Sequence, residues 1–127
     1  MYNIPEDLRY TKSHEWVKDI GNGEYMMGLT DYAAQESGEI LMVEAPVGDD
    51  FKKEEAFGAL EVVKADVEYY APFDCTVVKM NDEIEDNPEL INEDPYGTGW
   101  IITIRTEDKS GFDSLLTAKE YSALIGE

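Results

Sequence analysis

"EVVKADVEYYAP" (residues 61–72) joins two short runs rich in valine and tyrosine, with Lys64 between them and acidic residues on either side. Runs of β-branched and aromatic residues separated by a short polar break read as the strands of a hairpin. No Asn-Gly or Asp-Gly pair marks the turn, so the hairpin is inferred from the strands that flank it. Taken alone, a lysine at such a tip is a solvated turn residue. A protruding primary amine can also be offered to a modifying enzyme and then carry an attached group between separate active sites.

Working outward, alternation of apolar and polar residues recurs in short blocks. Tyr25, Met27 and Leu29 share one face of "EYMMGLT", and Trp100, Ile102 and Ile104 share one face of "WIITIRT". Further strands are expected at "HEWVKDI", "GEILMVEA", "AFGALEVV", "VEYYAP" and "TVVKMN", with turns at Gly21-Asn22-Gly23, Pro46-Val47-Gly48 and Asn81-Asp82. One helix is signalled at "TAKEYSALI", where Thr117 can cap and Glu120 can close a capping box, leaving Tyr121, Leu124 and Ile125 on one face. Short helical turns fit from Thr30 to Ser37, stopped by Gly38, and at Asn87-Pro88-Glu89-Leu90, with proline in the first helical position. "GEILMV" from Gly38 echoes "CTVVKM" from Cys75, and the same offset carries Val47 onto Ile84. Two similar halves related through the Lys64 hairpin suit a mainly β fold: a flattened antiparallel β-sandwich with a C-terminal helix and one or two short helical turns.

Composition narrows the function. The chain has 127 residues, 43% of them hydrophobic, enough for one domain spanning residues 1–127. Its 29 acidic against 10 basic residues give a net charge of −19, which repels nucleic acid and anionic membranes. Cys75 is the only cysteine, so no internal disulfide is available. No stretch approaches a membrane span and the N-terminus lacks a signal-peptide pattern, so a soluble, cytoplasmic protein is expected. His14 is the only histidine, too little for a metal or catalytic constellation, and it is expected to be a hydrogen-bonded structural residue. "YGTGW" contains Gly97 and Gly99 with no helix after it to receive a phosphate, and reads as a turn into a strand.

"HEWV" (residues 14–17), "GLTDYA" (28–33), "GEI" (38–40), "FGALEVVKA" (57–65), "AP" (71–72) and "PELINEDPYGTGW" (88–100) resemble, in order and over nearly the whole chain, the glycine cleavage system H proteins. The resemblance implies a lipoyl-domain-like barrel-sandwich hybrid whose Lys64 bears lipoate in amide linkage, attached by a lipoyl ligase or lipoyl transferase. The protein would be no enzyme. It would shuttle an aminomethyl group from glycine decarboxylase to aminomethyltransferase and be reoxidised by dihydrolipoyl dehydrogenase, acting as a monomer. By position in the family pattern, Ser13, Glu15 and Glu68 would contact the arm or its cargo, against the plainer reading of a solvated acidic face. A biotin carrier is disfavoured, because Val63 and Ala65 flank the lysine where that family has methionines.

Three positions depart from the family pattern. Val62 stands where a serine is usual, Asp74 and Cys75 stand where a small residue and a glycine are usual, and "EAPVGDD" lacks one residue of the usual loop. If the glycine serves a positive φ, Cys75 would be strained; if it serves close packing, Cys75 is a tolerable substitute. Changes around Lys64 would alter the docking surface and so the partner. The alternatives are a lipoate-binding carrier in heterodisulfide-reductase-like sulfur oxidation, a lipoyl relay protein, or an unmodified β-sandwich interaction module.

Overall fold

The computed structural model of the chain describes residues 2–127. Among them the elements are β1 (Arg9–Tyr10), β2 (Glu15–Gly21), β3 (Glu24–Leu29), α1 (Asp31–Ser37), β4 (Ile40–Val43), β5 (Asp50–Phe51), β6 (Ala56–Val62), β7 (Val67–Tyr70), β8 (Cys75–Met80), α2 (Asp82–Asp86), α3 (Leu90–Glu93), β9 (Ile102–Arg105), α4 (Ser110–Asp113) and α5 (Ala118–Leu124). All strand pairings are antiparallel. One sheet runs β1-β2-β3-β9-β8-β5 and the other β4-β6-β7. No described helix is long and apolar enough to cross a membrane.

Alternation places the core between the sheets. Tyr25, Met27 and Leu29 point inward from β3 as their spacing requires, and they meet Ile40, Leu60, Val62 and Tyr69 from the smaller sheet. On β2 the rule serves two cores, because Val17 enters this sandwich while its neighbour Trp16 faces the other way. There Trp16 joins Leu8, Tyr10, Ala118 and Tyr121 beneath α5. Tyr10 stacks on Tyr121 with ring centroids 4.8 Å apart. Trp16 lies against its cross-strand partner Gly28, where an added Cβ would stand 2.9 Å from the indole nitrogen. Glycine is required there by close approach.

The helices follow their caps. Thr30 Oγ1 accepts from Ala33 N to start α1, which ends at Gly38 with φ +77°. The capping box of α5 forms as expected: Thr117 Oγ1 accepts from Glu120 N, and Glu120 Oε1 accepts from Thr117 N. Tyr121 is buried as anticipated, but Leu124 is 48% exposed. The short helix packs through Ala118, Tyr121 and Ile125, and Leu124 falls to the flank of that stripe. Near Pro88 the helix begins at Leu90, so proline precedes it instead of opening it. Asn81, read as a turn residue, caps the unanticipated α2 through its Oδ1 and Glu83 N. Trp100 lies outside β9 and packs on the second core, whereas Ile102 and Ile104 enter the first. The internal echo holds for Ile40 and Val77, each buried but in opposite sheets. It fails for Val47, 52% exposed in a loop, against Ile84, 1% exposed in α2.

Candidate functional site

The β6–β7 hairpin pairs Ala59 with Glu68 and Leu60 with Val67, and the chain then crosses to β7 through a loop that carries Lys64. Lys64 is exposed and, among the described residues, has no hydrogen bond or ion pair. Among the described residues, nothing consumes its amine. Glu61, Asp66 and Glu68 are exposed around it. On β7 Tyr69 points into the core, so Glu68 and Tyr70 take the outer face by alternation. That outer face runs about 10 Å along β7, from the Lys64 loop to the far end of the strand.

At that far end sits a cluster built by the turn before β2. Thr11 Oγ1 and Ser13 Oγ donate to Glu15 Oε1, the latter over 2.6 Å, and Glu15 Oε2 accepts from Tyr70 N at 3.2 Å. Glu15 belongs to the six-stranded sheet and Tyr70 to the three-stranded one, so this carboxylate ties the two sheets together. It is 1% exposed, and burial pushes its pKa up from the ordinary value against the pull of those donors. Ser13 is exposed in front of it. Ser13 and Tyr70 line a groove of about 450 Å³ with Thr11, Lys12, Lys53 and Pro72. The structure therefore brings Ser13 and Glu15 into one hydrogen-bonded unit and sets Glu68 on the hairpin face that leads toward it. The Thr11 hydroxyl and the Tyr70 amide escaped the sequence reading; spacing gave no sign of either.

His14 has the hydrogen-bonded, structural setting expected of it. Its backbone takes φ +73°, and Nδ1 lies 2.9 Å from the Tyr121 hydroxyl, which also meets Thr30 Oγ1 at 2.8 Å. Partial burial lowers the His14 pKa, so the neutral ring is favoured.

The departures from the family pattern lie elsewhere than expected. Val62 is 6% exposed and Cys75 7%, and both side chains belong to the core between the sheets. The anticipated change of docking surface is therefore corrected: in β6 Leu60 and Val62 share the inward face, so the substitution repacks the interior. Cys75 is absent from the positive-φ residues, and its backbone lies in β8. The packing reading of the lost glycine holds. Burial and nearby carboxylates push the thiol pKa up to about 12.

Two antiparallel sheets pack as a mainly β sandwich, and the hairpin between β6 and β7 presents Lys64 to solvent. A family model described as Glycine cleavage H-protein matches residues 8–127. The glycine cleavage system H proteins of Staphylococcus carnosus and Geobacillus kaustophilus are 45% and 47% identical to the chain, each over 98% of both sequences. A crystal structure of a glycine cleavage system H protein from Mycobacterium marinum superposes with a TM-score of 0.87 at 32% identity, covering 98% of this chain and 100% of that one. The chain belongs to the glycine cleavage H-protein family. Its role is that of the family: a lipoyl shuttle of the glycine cleavage system, and not a catalyst.

Proposed function

We propose that Lys64 is the residue lipoylated in this shuttle, by a lipoyl ligase or transferase, and that the loaded chain serves glycine decarboxylase, aminomethyltransferase and dihydrolipoyl dehydrogenase. The observation that carries the reading is the exposed, unpartnered Lys64 at the hairpin tip of a chain in this family. Lipoate, once attached, supplies the redox-active dithiolane, and tethering raises its effective concentration at a docked partner to the order of millimolar. The chain's own residues orient and shelter. The Ser13 hydroxyl, held by Glu15, presents its lone pairs to the groove. Glu68, on the outer face between tip and groove, offers a carboxylate to a cationic cargo. Glu15 acts from behind by fixing Ser13 and the Tyr70 amide. On this reading the chain works as a monomeric single domain in the cytoplasm.

Intact mass after co-expression with a lipoyl ligase tests the attachment site: one lipoyl increment on the wild type and none on Lys64→Arg. Equal labelling of that variant would exclude Lys64. The lipoylated protein should then support exchange of labelled bicarbonate into glycine with glycine decarboxylase, and a failure there would remove the assigned partner.

A further inference from the structure

We propose that Leu41, Met42 and Val63 form an apolar docking pad for the enzyme that attaches lipoate, an inference that rests on Lys64 being the attachment site. A regular strand turns successive side chains to opposite faces, so only one of two neighbours should be exposed. Strand β4 breaks that rule. Ile40 pairs with Val62 and Met42 with Glu61, so two steps on β4 meet one on β6, the signature of a bulge. Leu41 and Met42 are consequently 47% and 56% exposed, while Ile40 beside them is 1% exposed. Val63, 66% exposed and next to Lys64, is drawn to the start of β4 by a hydrogen bond from its amide to Glu39 O. Three exposed apolar residues thus fall at neighbouring positions of β4 and the end of β6, at the foot of the lysine loop, and grouped exposed apolar side chains mark interaction sites.

The chemistry of attachment selects the occupant. For the amide to form, the Lys64 nitrogen must reach the acyl carbon of an activated lipoyl group such as an acyl adenylate. The C–N bond forms, the acyl–phosphate C–O bond breaks, AMP leaves with the bonding pair, and two of the ammonium group's three protons pass to an enzymic base or to water, the third remaining as the amide N–H. The attaching enzyme must therefore close around the lysine to within one side chain's length and cover the pad. Enzymes that act on the distal end of a finished arm have that arm's length to spare. Exposed Glu39, Glu61, Asp66 and Glu68 ring the pad, so the complementary surface is an apolar patch with a basic rim.

The test is the initial rate of lipoylation by purified ligase with lipoate and ATP, read by intact mass against carrier concentration. Leu41→Ser/Met42→Ser should lower kcat/KM about tenfold through KM, the loss expected when two contact side chains are withdrawn from an interface. Leu41→Gln alone serves if the double variant melts early. Ile20→Ser, a similarly exposed apolar residue in the other sheet, should label at the wild-type rate. Wild-type kcat/KM in both pad variants overturns the proposal. So does an undiminished labelling rate with impaired glycine–bicarbonate exchange, which would give the pad to the decarboxylase. Failure of the underlying reading looks different, since the wild type would then take no label or Lys64→Arg would label as the wild type does.

Discussion

Substituting Val62 by the serine usual in the family separates an interior role from a docking role. Val62 is 6% exposed, pairs with Ile40 and packs between the sheets. Losing its buried apolar surface costs about 1.5–2 kcal/mol. The serine hydroxyl, set among apolar neighbours, adds about 1–2 kcal/mol where it lacks a partner. The expected destabilisation is therefore about 3 kcal/mol. Unfolding entropy scales at about 2.1 cal/mol/K per residue, so a 127-residue chain should lose about 10 °C in Tm. Thermal melts followed by circular dichroism give the shift, and ligase-dependent mass gain at a temperature where both proteins are folded gives the labelling rate. Because the side chain faces inward, that rate should match the wild type. An unchanged Tm with an altered labelling rate would refute the inward placement and restore Val62 as a determinant of partner choice.

Glu15→Gln should change the pH dependence of stability. Burial raises the folded pKa of Glu15 above its ordinary value of 4.5, so folding favours the protonated form. The stability associated with that proton is present below the ordinary value and is lost as pH rises through the raised one, where a permanently neutral glutamine loses nothing. The Tm of the variant minus that of the wild type should grow as pH rises above 4.5, and parallel curves would contradict it. Cys75, 7% exposed with its pKa pushed up to about 12, should resist a thiol reagent at neutral pH and react once the chain is denatured. Rapid labelling of the folded protein would contradict this.

The longer strands were legible because alternation survives in sequence wherever one face is buried, as with Tyr25, Met27 and Leu29. Strands β1 and β5 were not, since two residues carry no period. The short helix α2 hid behind Asn81, because a turn residue and a cap look alike until the following carbonyls are placed. Lys64 was legible through its neighbours, and the inward aim of Val62 could have been read from its alternation with Leu60. The outward turn of both Leu41 and Met42 could not, since it depends on which residue of β6 each one faces. Nor does an acidic residue between His14 and Trp16 announce its burial; the donors that make it tolerable come together only when the turn folds and Tyr70 arrives from another sheet.

The carboxylate that receives the Tyr70 amide also fixes a pivot. A crane swings its load accurately only if its mast does not sway, and here the mast is the β6–β7 hairpin, flanked by β4 along β6 and tied across the sandwich by Glu15 at its far end. With that end held, the volume swept by anything hung from Lys64 is set chiefly by the tether. With the arm on Lys64 as proposed, the distance over which this shuttle can hand on its load is a property of the attached chain and of one lysine side chain, and a change in the clamp would alter delivery without touching either.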